Sequence, residues 1–220
     1  MLNDRLCSIL NFIEKDDIVA DIGTDHGYLL VACLEKGVKF VQGVENKLGP
    51  YLNAEANLSE YLKEKKAILS LSDGLSFLDS RIDTAVIAGM GGELIRDIIS
   101  SSIDKAKKLK KLVLEPNIKI YELRKFLSDN HFEIINEDVV LDNEKYYEII
   151  VTRYNESCLD LSDIECMFGP ILLKNRPIMF TKKWEDRLVQ LNKICENSSV
   201  KLDNIENDIK LIKEVLRSES

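Results

Sequence analysis

The sequence predicts an α/β fold: a seven-stranded, mostly parallel sheet with helices on both faces, an antiparallel last strand and a C-terminal α-helical hairpin. Three observations predict it. Short apolar runs alternate five times with amphipathic stretches between Ile18 and Asn130, and such alternation builds a parallel sheet. Two strand-like segments, 131–142 and 145–155, then arrive with no helix between them. Past residue 156 only helical periodicity remains.

Taken in order, Leu2, Leu6, Ile9, Leu10 and Ile13 fall at helical spacing. IVADI (18–22) is a short apolar run ending in an acid, as in a strand buried on both faces. GYLLVACLEKG (27–37) reads as a helix stopped by Gly37. VKFVQGVE (38–45) is the second strand, and Pro50 suits the first turn of a helix running to about Lys65. AILSLSDG (67–74) is the third strand with its exit turn, and DTAVIAGMGG (83–92) is the fourth. ELIRDIISS (93–101) puts Leu94, Ile95, Ile98 and Ile99 on one face. KKLVLEPN (110–117) is the fifth strand, and KIYELRKFLSDN (119–130) a helix with Ile120, Leu123 and Leu127 inward. HFEIINEDVVLD and KYYEIIVTRYN pair as a terminal hairpin.

Residues 160–176 predict a short helix interrupted at Gly169-Pro170, and 178–196 and 200–217 two longer helices. Leu202, Ile205, Ile209, Ile212 and Leu216 repeat at 3-4-3-4 spacing, a heptad seam, and Phe180, Trp184, Leu188, Leu191 and Cys195 form a matching stripe. Asn197-Ser198-Ser199 is short enough to make them an antiparallel, coiled-coil-like hairpin folded on itself. Two domains are therefore expected, 1–155 and 156–220, in a monomer.

Composition narrows the functions. The net charge of −8 excludes a broadly basic nucleic-acid binder. Basic residues are nonetheless concentrated in two stretches, Lys105–Lys125 and Lys174–Lys193. No apolar run reaches the ~18 residues of a membrane span, and the acid-containing N-terminus lacks a signal-peptide core; a cytoplasmic protein is expected. Five cysteines without CxxC spacing and two distant histidines, His26 and His131, offer no metal site.

In a doubly wound sheet the ligand sits at the C-terminal ends of the strands. Acids and glycines stand at five successive predicted strand ends: Asp21 to Gly27, Glu45-Asn46, Asp73-Gly74, Gly89 to Gly92, and Pro116-Asn117. Gly23 lets the backbone turn and approach a ligand. Glu45, 24 residues beyond Asp21, can accept both hydroxyls of a ribose. Asp73 can accept from an adenine amine, with Gly74 leaving room beside it. In the loop Gly23-Thr24-Asp25-His26-Gly27, Asp25 stands where a dinucleotide-binding loop has its second glycine. A carboxylate repels a pyrophosphate and attracts the ammonium of a methionine moiety, which favours S-adenosylmethionine over NAD.

DIGTDHGYL, GVENKLGP, LSDGL, AGMGGELI, LEPN with Leu123-Arg124, and YYEII together resemble the bacterial tRNA (adenine-22-N1)-methyltransferase family (TrmK type) across residues 1–154, and the helical tail is similar too. The resemblance implies a Rossmann-like class I methyltransferase domain, S-adenosyl-L-methionine as cofactor, and methyl transfer to N1 of an adenine in the D-arm region of tRNA. It implies that Asp21, Gly23 and Gly27, with Thr24 and His26, form the cofactor loop. Glu45 with Asn46 would hold the ribose, and Asp73-Gly74 would form the adenine pocket. N1 of adenine carries no proton to remove, so alignment and exclusion of water are expected to dominate. Asp25 is the first candidate to accept the exocyclic amine, with the backbone carbonyls of Gly89, Met90 and Gly91 as alternatives, and Gly91 and Gly92 give a flat base room to approach. The target adenine must leave its stack. Lys107, Lys108, Lys110, Asn117, Arg124, Lys182 and Lys183 are the expected tRNA contacts. Other readings remain open: a class I methyltransferase of a protein or small molecule, a non-catalytic RNA-binding scaffold, and, third, a nicotinamide oxidoreductase.

Overall fold

A computed structural model describes residues 2–197 and 203–217. Helix α1 (Asp4–Asn11) precedes β1 (Val19–Ile22), α2 (Tyr28–Lys36), β2 (Val41–Glu45), α3 (Leu48–Asn57), α4 (Ser59–Lys63) and β3 (Ala67–Leu71). Then come β4 (Thr84–Met90), α5 (Gly92–Ser101), α6 (Ile103–Ala106), β5 (Lys111–Pro116), α7 (Ile120–Asp129), β6 (Phe132–Asp142) and β7 (Lys145–Tyr154). The tail holds α8 (Asp163–Phe168), α9 (Pro170–Asn175), α10 (Ile178–Asn197) and α11 (Asp203–Arg217).

The seven strands form one sheet in the order β3-β2-β1-β4-β5-β7-β6. β1 to β5 pair in parallel, and β7 runs antiparallel to both β5 and β6. Strand order reverses between β1 and β4, which opens a crevice at their C-terminal ends. Successive residues of each strand face opposite layers. Ala85, Ile87, Leu112 and Leu114 pack with Ile95, Ile99, Leu123 and Leu127 on one side. Val86 and Val113 pack with Ile9, Ile13, Leu30 and Cys33 on the other.

Two local predictions change. The helix after β2 carries Pro50 in its first turn, as expected, but is broken at Leu58 (φ −96°, ψ 6°). The short α6, missed in the sequence, continues the path from α5 to β5. The two apolar stripes of the tail do meet: Phe180, Trp184 and Leu191 of α10 form one core with Ile209, Ile212 and Val215 of α11. Leu202 of the predicted seam and the Ser198-Ser199 turn lie outside the described residues.

That tail core includes Val139 of β6, so the helices are seated on the sheet edge. A buried set of charges fixes them there. Arg124 of α7 donates to Glu137 of β6 (2.6 Å) and to Glu148 of β7, and Lys183 of α10 pairs with the same Glu148. Glu137 Oε2 also accepts from the backbone N–H of Ile171 at the start of α9 (2.9 Å). Burial works against the charge on Glu148, but Arg124 and Lys183 outweigh it and hold its carboxyl at about 2. Burial raises Glu137, aided by the charge of Glu148. Breaking such a set strands an uncompensated charge. Arg124→Ala is therefore expected to lower the unfolding free energy by about 3–5 kcal/mol in denaturant titration, whereas Lys182→Ala, exposed on α10, should change it by less than ~0.5 kcal/mol.

Candidate active site

At the strand ends β1, β2, β3 and β4 enclose a cavity of about 340 Å³ whose lining includes Gly23, Asp25, Glu45, Asp73, Gly89 and Met90. A smaller cavity of about 110 Å³ adjoins it, lined by Arg5, Asp21, Thr24, Asp25 and His26 among others. The predicted residues at four of the five strand ends therefore converge here, whereas Pro116 and Asn117 after β5 line neither cavity.

The reasons are local. Gly23 has φ +75°, a conformation that residues with a side chain rarely adopt, and a Cβ there would also push against the end of the Met90 side chain. Asp25 follows at φ 49°, an uncommon conformation for a side-chain-bearing residue. Its exposed carboxylate borders both cavities and lies 3.7 Å from the His26 ring, which stacks on Tyr28 (5.3 Å between centroids). The Glu45 carboxylate is oriented before any ligand arrives: Oε1 accepts from the N–H groups of Asn46 and Lys47 (both 2.9 Å), and Oε2 from that of Asp25 (3.3 Å). Burial pushes the Asp21 carboxyl up to about 6, and the charge of Glu45 adds to the shift while that of Arg5 opposes it. Asp73 and Gly74 line the cavity beside Ser72, whose buried hydroxyl has no hydrogen-bond partner among the described residues.

Two predicted residues stand back from the ligand space. Gly27 caps α2 and packs toward Ala54 and Leu58. Gly91 caps α5 and faces Ile118. Thr24 is buried and Asn46 exposed at the rim. The lining also includes residues outside the predicted set, among them Arg5, Lys47, Ser72 and Leu94, the last exposed at the cavity rim and not on the buried face with Ile95 and Ile99. Lys47 and Leu94 follow strand ends and were within reach of the same argument, whereas Arg5 arrives from α1 with no local signal.

The proposed tRNA contacts need correction. Arg124 is fully buried in its ion pairs and cannot reach a phosphate. Lys107, Lys108 and Lys110 precede β5, at the edge of the sheet opposite the cavity, roughly 20 Å away along a six-residue strand. There Lys110 pairs with buried Asp17 (2.6 Å), and the Lys107 ammonium sits 4.6 Å from the Tyr154 ring centroid. Lys183 is committed to Glu148. Asn117 and Lys182 remain exposed. Asn117 opens onto a groove of about 650 Å³ between the β6–β7 hairpin and α10, where Lys145, Tyr146, Tyr147 and Arg187 also stand.

The switch-point crevice, a ribose-ready carboxylate after β2, an acid-bearing glycine loop after β1 and an antiparallel β7 define a class I S-adenosylmethionine-dependent methyltransferase. A Streptococcus pneumoniae protein, Sp1610, solved in complex with S-adenosyl-L-methionine, superposes with a TM-score of 0.89 at 31% identity, covering 99% of this chain and 100% of that one. The family model for tRNA (adenine(22)-N(1))-methyltransferase matches residues 19–219, and the chain belongs to that family. The tRNA (adenine(22)-N(1))-methyltransferase of Bacillus subtilis (strain 168) is 30% identical over 216 residues, 96% of this chain and 91% of the relative. The crystal structure of the B. subtilis M1A22 tRNA methyltransferase TrmK matches with a TM-score of 0.83 at 28% identity, covering 98% of this chain and 99% of that one.

The cavity fits the cofactor on its own evidence: a glycine cradle at Gly23, a pre-set carboxylate at Glu45 and an orphaned hydroxyl at Ser72. Removing the Glu45 carboxylate by Glu45→Ala should weaken S-adenosylmethionine by about 10- to 100-fold in calorimetry. With the Asp21 carboxylate as partner of the cofactor's ammonium, affinity should be highest where Asp21 is ionised, and fall as pH drops below about 6. Asp21→Asn should flatten that pH dependence; a wild-type affinity level from pH 5 to 7 would exclude the pairing.

Proposed function

We propose that this chain moves the methyl group of S-adenosylmethionine to N1 of adenine 22 in the D-arm region of tRNA. The observation that carries the reading is that Asp25, Gly89 and Met90 border the same cavity as Glu45 and Asp73, so a base at the Gly89 wall lies beside a cofactor held by the two acids.

Bound S-adenosylmethionine supplies an electrophilic methyl group on a sulfonium. Glu45 and Asp73 hold its nucleoside and the Asp21–Gly27 loop its methionine end. N1 of adenine presents a free lone pair, so the protein needs no base before attack and contributes orientation and dryness. Methylation at N1 acidifies the exocyclic amine, and Asp25 accepts from that amine, with the carbonyls of Gly89 and Met90 as its helpers. Asp25 has solvent access on one side and the cavity on the other, which suits a group that must release a proton. Leu94, exposed at the cavity rim, offers the flipped base an apolar face in the absence of an aromatic platform.

The RNA strand next to the flipped base lies in the hairpin–α10 groove, where Lys145 and Arg187 meet phosphates and Tyr146 and Tyr147 meet bases or riboses. Residues 156–220 thus serve as a tRNA-contacting unit beside the catalytic unit 1–155. No helix among the described residues is long and apolar enough to cross a membrane, and none of their His, Cys, Asp and Glu side chains group as a metal site. A cytoplasmic monomer is the form we favour, because the stripes of α10 and α11 are covered by each other.

Labelled-methyl transfer to bulk tRNA followed by nucleoside analysis tests the reading, with 1-methyladenosine as the expected product and its absence as the contrary result. Asp25→Ala should lower kcat on the order of 100-fold while changing cofactor affinity little; parallel loss of both would make Asp25 a cofactor ligand. Lys145→Ala with Arg187→Ala should raise KM for tRNA and flatten its salt dependence, whereas replacing Lys107, Lys108 and Lys110 by Ala should leave both unchanged.

A further inference from the structure

The wall that receives the base is irregular. The β4–β5 register shifts between Ala88 and Met90, leaving Gly89 as a bulged residue at φ +74°. Bulged residues lose their place in the ladder, and the Gly89 N–H is satisfied by a side chain instead: it donates to Glu115 Oε2 of β5 at 2.8 Å. The same oxygen accepts from Arg5 Nη1 at 2.8 Å. Arg5 lies tight against the bulge, because a Cβ on Gly89 would be 3.2 Å from its Nη1. Asn117 N–H closes the far side by donating to the Met90 carbonyl at 2.8 Å.

We propose that Arg5 and Glu115 are positioning residues of the methyl-transfer reaction: together they form a latch that fixes the Gly89 bulge so that the Ala88–Gly91 wall is set before the target base enters. This rests on the reading of that wall as the base-receiving face. Two features say the pair is kept for geometry rather than stability. The Glu115 side chain is fully buried, and its Oε1 has no partner among the described residues, an arrangement that costs stability. A buried ion pair can often be exchanged for apolar residues without loss, but an apolar residue at 115 offers nothing to the Gly89 N–H. The latch is also anchored from outside the site. Helix α1 is tied to β6 by Ser8 donating to Asp138 (2.6 Å) and by Asn3 donating to Asp142 (2.9 Å), and Arg5 projects from between these bonds. Its guanidinium lies 5.4 Å from the ring centroid of Tyr147, which lines the hairpin–α10 groove. One side chain therefore touches both the catalytic wall and the border of the proposed RNA groove.

Glu115 accepts most strongly from both donors when it is ionised. Burial raises its pKa, and Arg5 with the Gly89 N–H opposes the rise. The other ionisable groups around Arg5 include Asp21, Asp25 and His26 of the β1–α2 loop, Tyr28 of α2 and Tyr147 of β7. Loss of Arg5 leaves the Glu115 carboxyl without its cation, so its protonation, and with it a weaker hold on the Gly89 N–H, should move to higher pH.

The test is steady-state methyl transfer to tRNA by the full chain, at saturating cofactor and tRNA, across pH 5.5–9.5, with calorimetry of S-adenosylmethionine at each pH. Arg5→Gln should lower kcat at pH 7 on the order of 100-fold, the loss expected from a catalytic wall out of place. It should shift the acid limb of the kcat profile upward and recover activity toward pH 9. Arg5→Lys should restore most of kcat. Glu115→Gln, which keeps an acceptor, should be far more active than Glu115→Leu, and cofactor affinity should stay within about threefold for the Glu115 pair. Unchanged kcat in Arg5→Gln and Glu115→Leu would overturn the latch, as would equal losses in Glu115→Gln and Glu115→Leu with no pH shift in Arg5→Gln. Failure of the wild-type chain to methylate tRNA would instead overturn the substrate reading on which the latch depends.

Discussion

The interaction on which the rest of the molecule depends is the buried contact of Arg124 with Glu137 and Glu148, extended to Lys183. Each member comes from a different element: α7, β6, β7 and α10. Without the guanidinium, two carboxylates would face each other in a dry interior, a repulsion that low dielectric magnifies. With it, the antiparallel edge of the sheet gains a fixed partner, and the N-terminus of α9 and the side of α10 are drawn onto that edge. The tail core around Phe168, Phe180 and Trp184 then has a surface to close against. An apolar contact alone would hold the tail to the sheet, but it would not specify which turn of α10 sits over β7. A lysine meeting one buried glutamate does specify it.

That register has consequences at the site. The hairpin–α10 groove exists because α10 is held beside Tyr146 and Tyr147, and the groove begins at Asn117, whose N–H bonds the carbonyl of Met90. The cofactor crevice itself needs none of this, since β1 to β4 build it from parallel pairing and a reversal of strand order. The molecule thus has a crevice determined by sheet topology and a groove, the proposed substrate side, determined by how the tail is docked. The two halves meet at the Gly89 bulge.

Much of the first half is legible in the sequence, because strand ends are marked by local chemistry. Asp21, Gly23, Glu45, Asp73 and Gly89 each follow an apolar run, and a parallel sheet brings such positions together without further information. The second half is not legible in the same way. Arg124 sits in a helix rich in exposed charges and looks like its neighbour Lys125; only its inward phase, beside Leu123 and Leu127, hints at burial. The partners Glu137 and Glu148 lie in strands whose pairing register a single sequence does not specify. The basic run Lys107–Lys110 misled for a related reason. It is dense in sequence, but it precedes its strand, and direction along a parallel strand decides which end of the sheet a residue occupies. Charge density read without strand polarity does not tell which end of the sheet a basic run occupies.

Strand polarity also explains why an acidic chain can carry an RNA-directed site. With a net charge of −8, long-range attraction to a polyanion is weak. Many of the cations in its basic stretches are already neutralised internally: Lys110 and Lys111 by Asp17, Lys183 by Glu148, Lys125 by Asp129. On the proposed reading, affinity comes from short-range contacts in a shaped groove, where Tyr146 and Tyr147 offer stacking surface and Lys145 and Arg187 stand beside Glu144 and Asp186, so that charge is local and not a broad field. A binder built in this way gives up non-specific grip and depends on shape, which suits an enzyme that must leave most of a tRNA untouched and extrude one base. The pre-set geometry of Glu45 on one side of the cavity and the Gly89 bulge on the other belongs to the same logic: where attraction is weak, organisation before binding has to supply the rate.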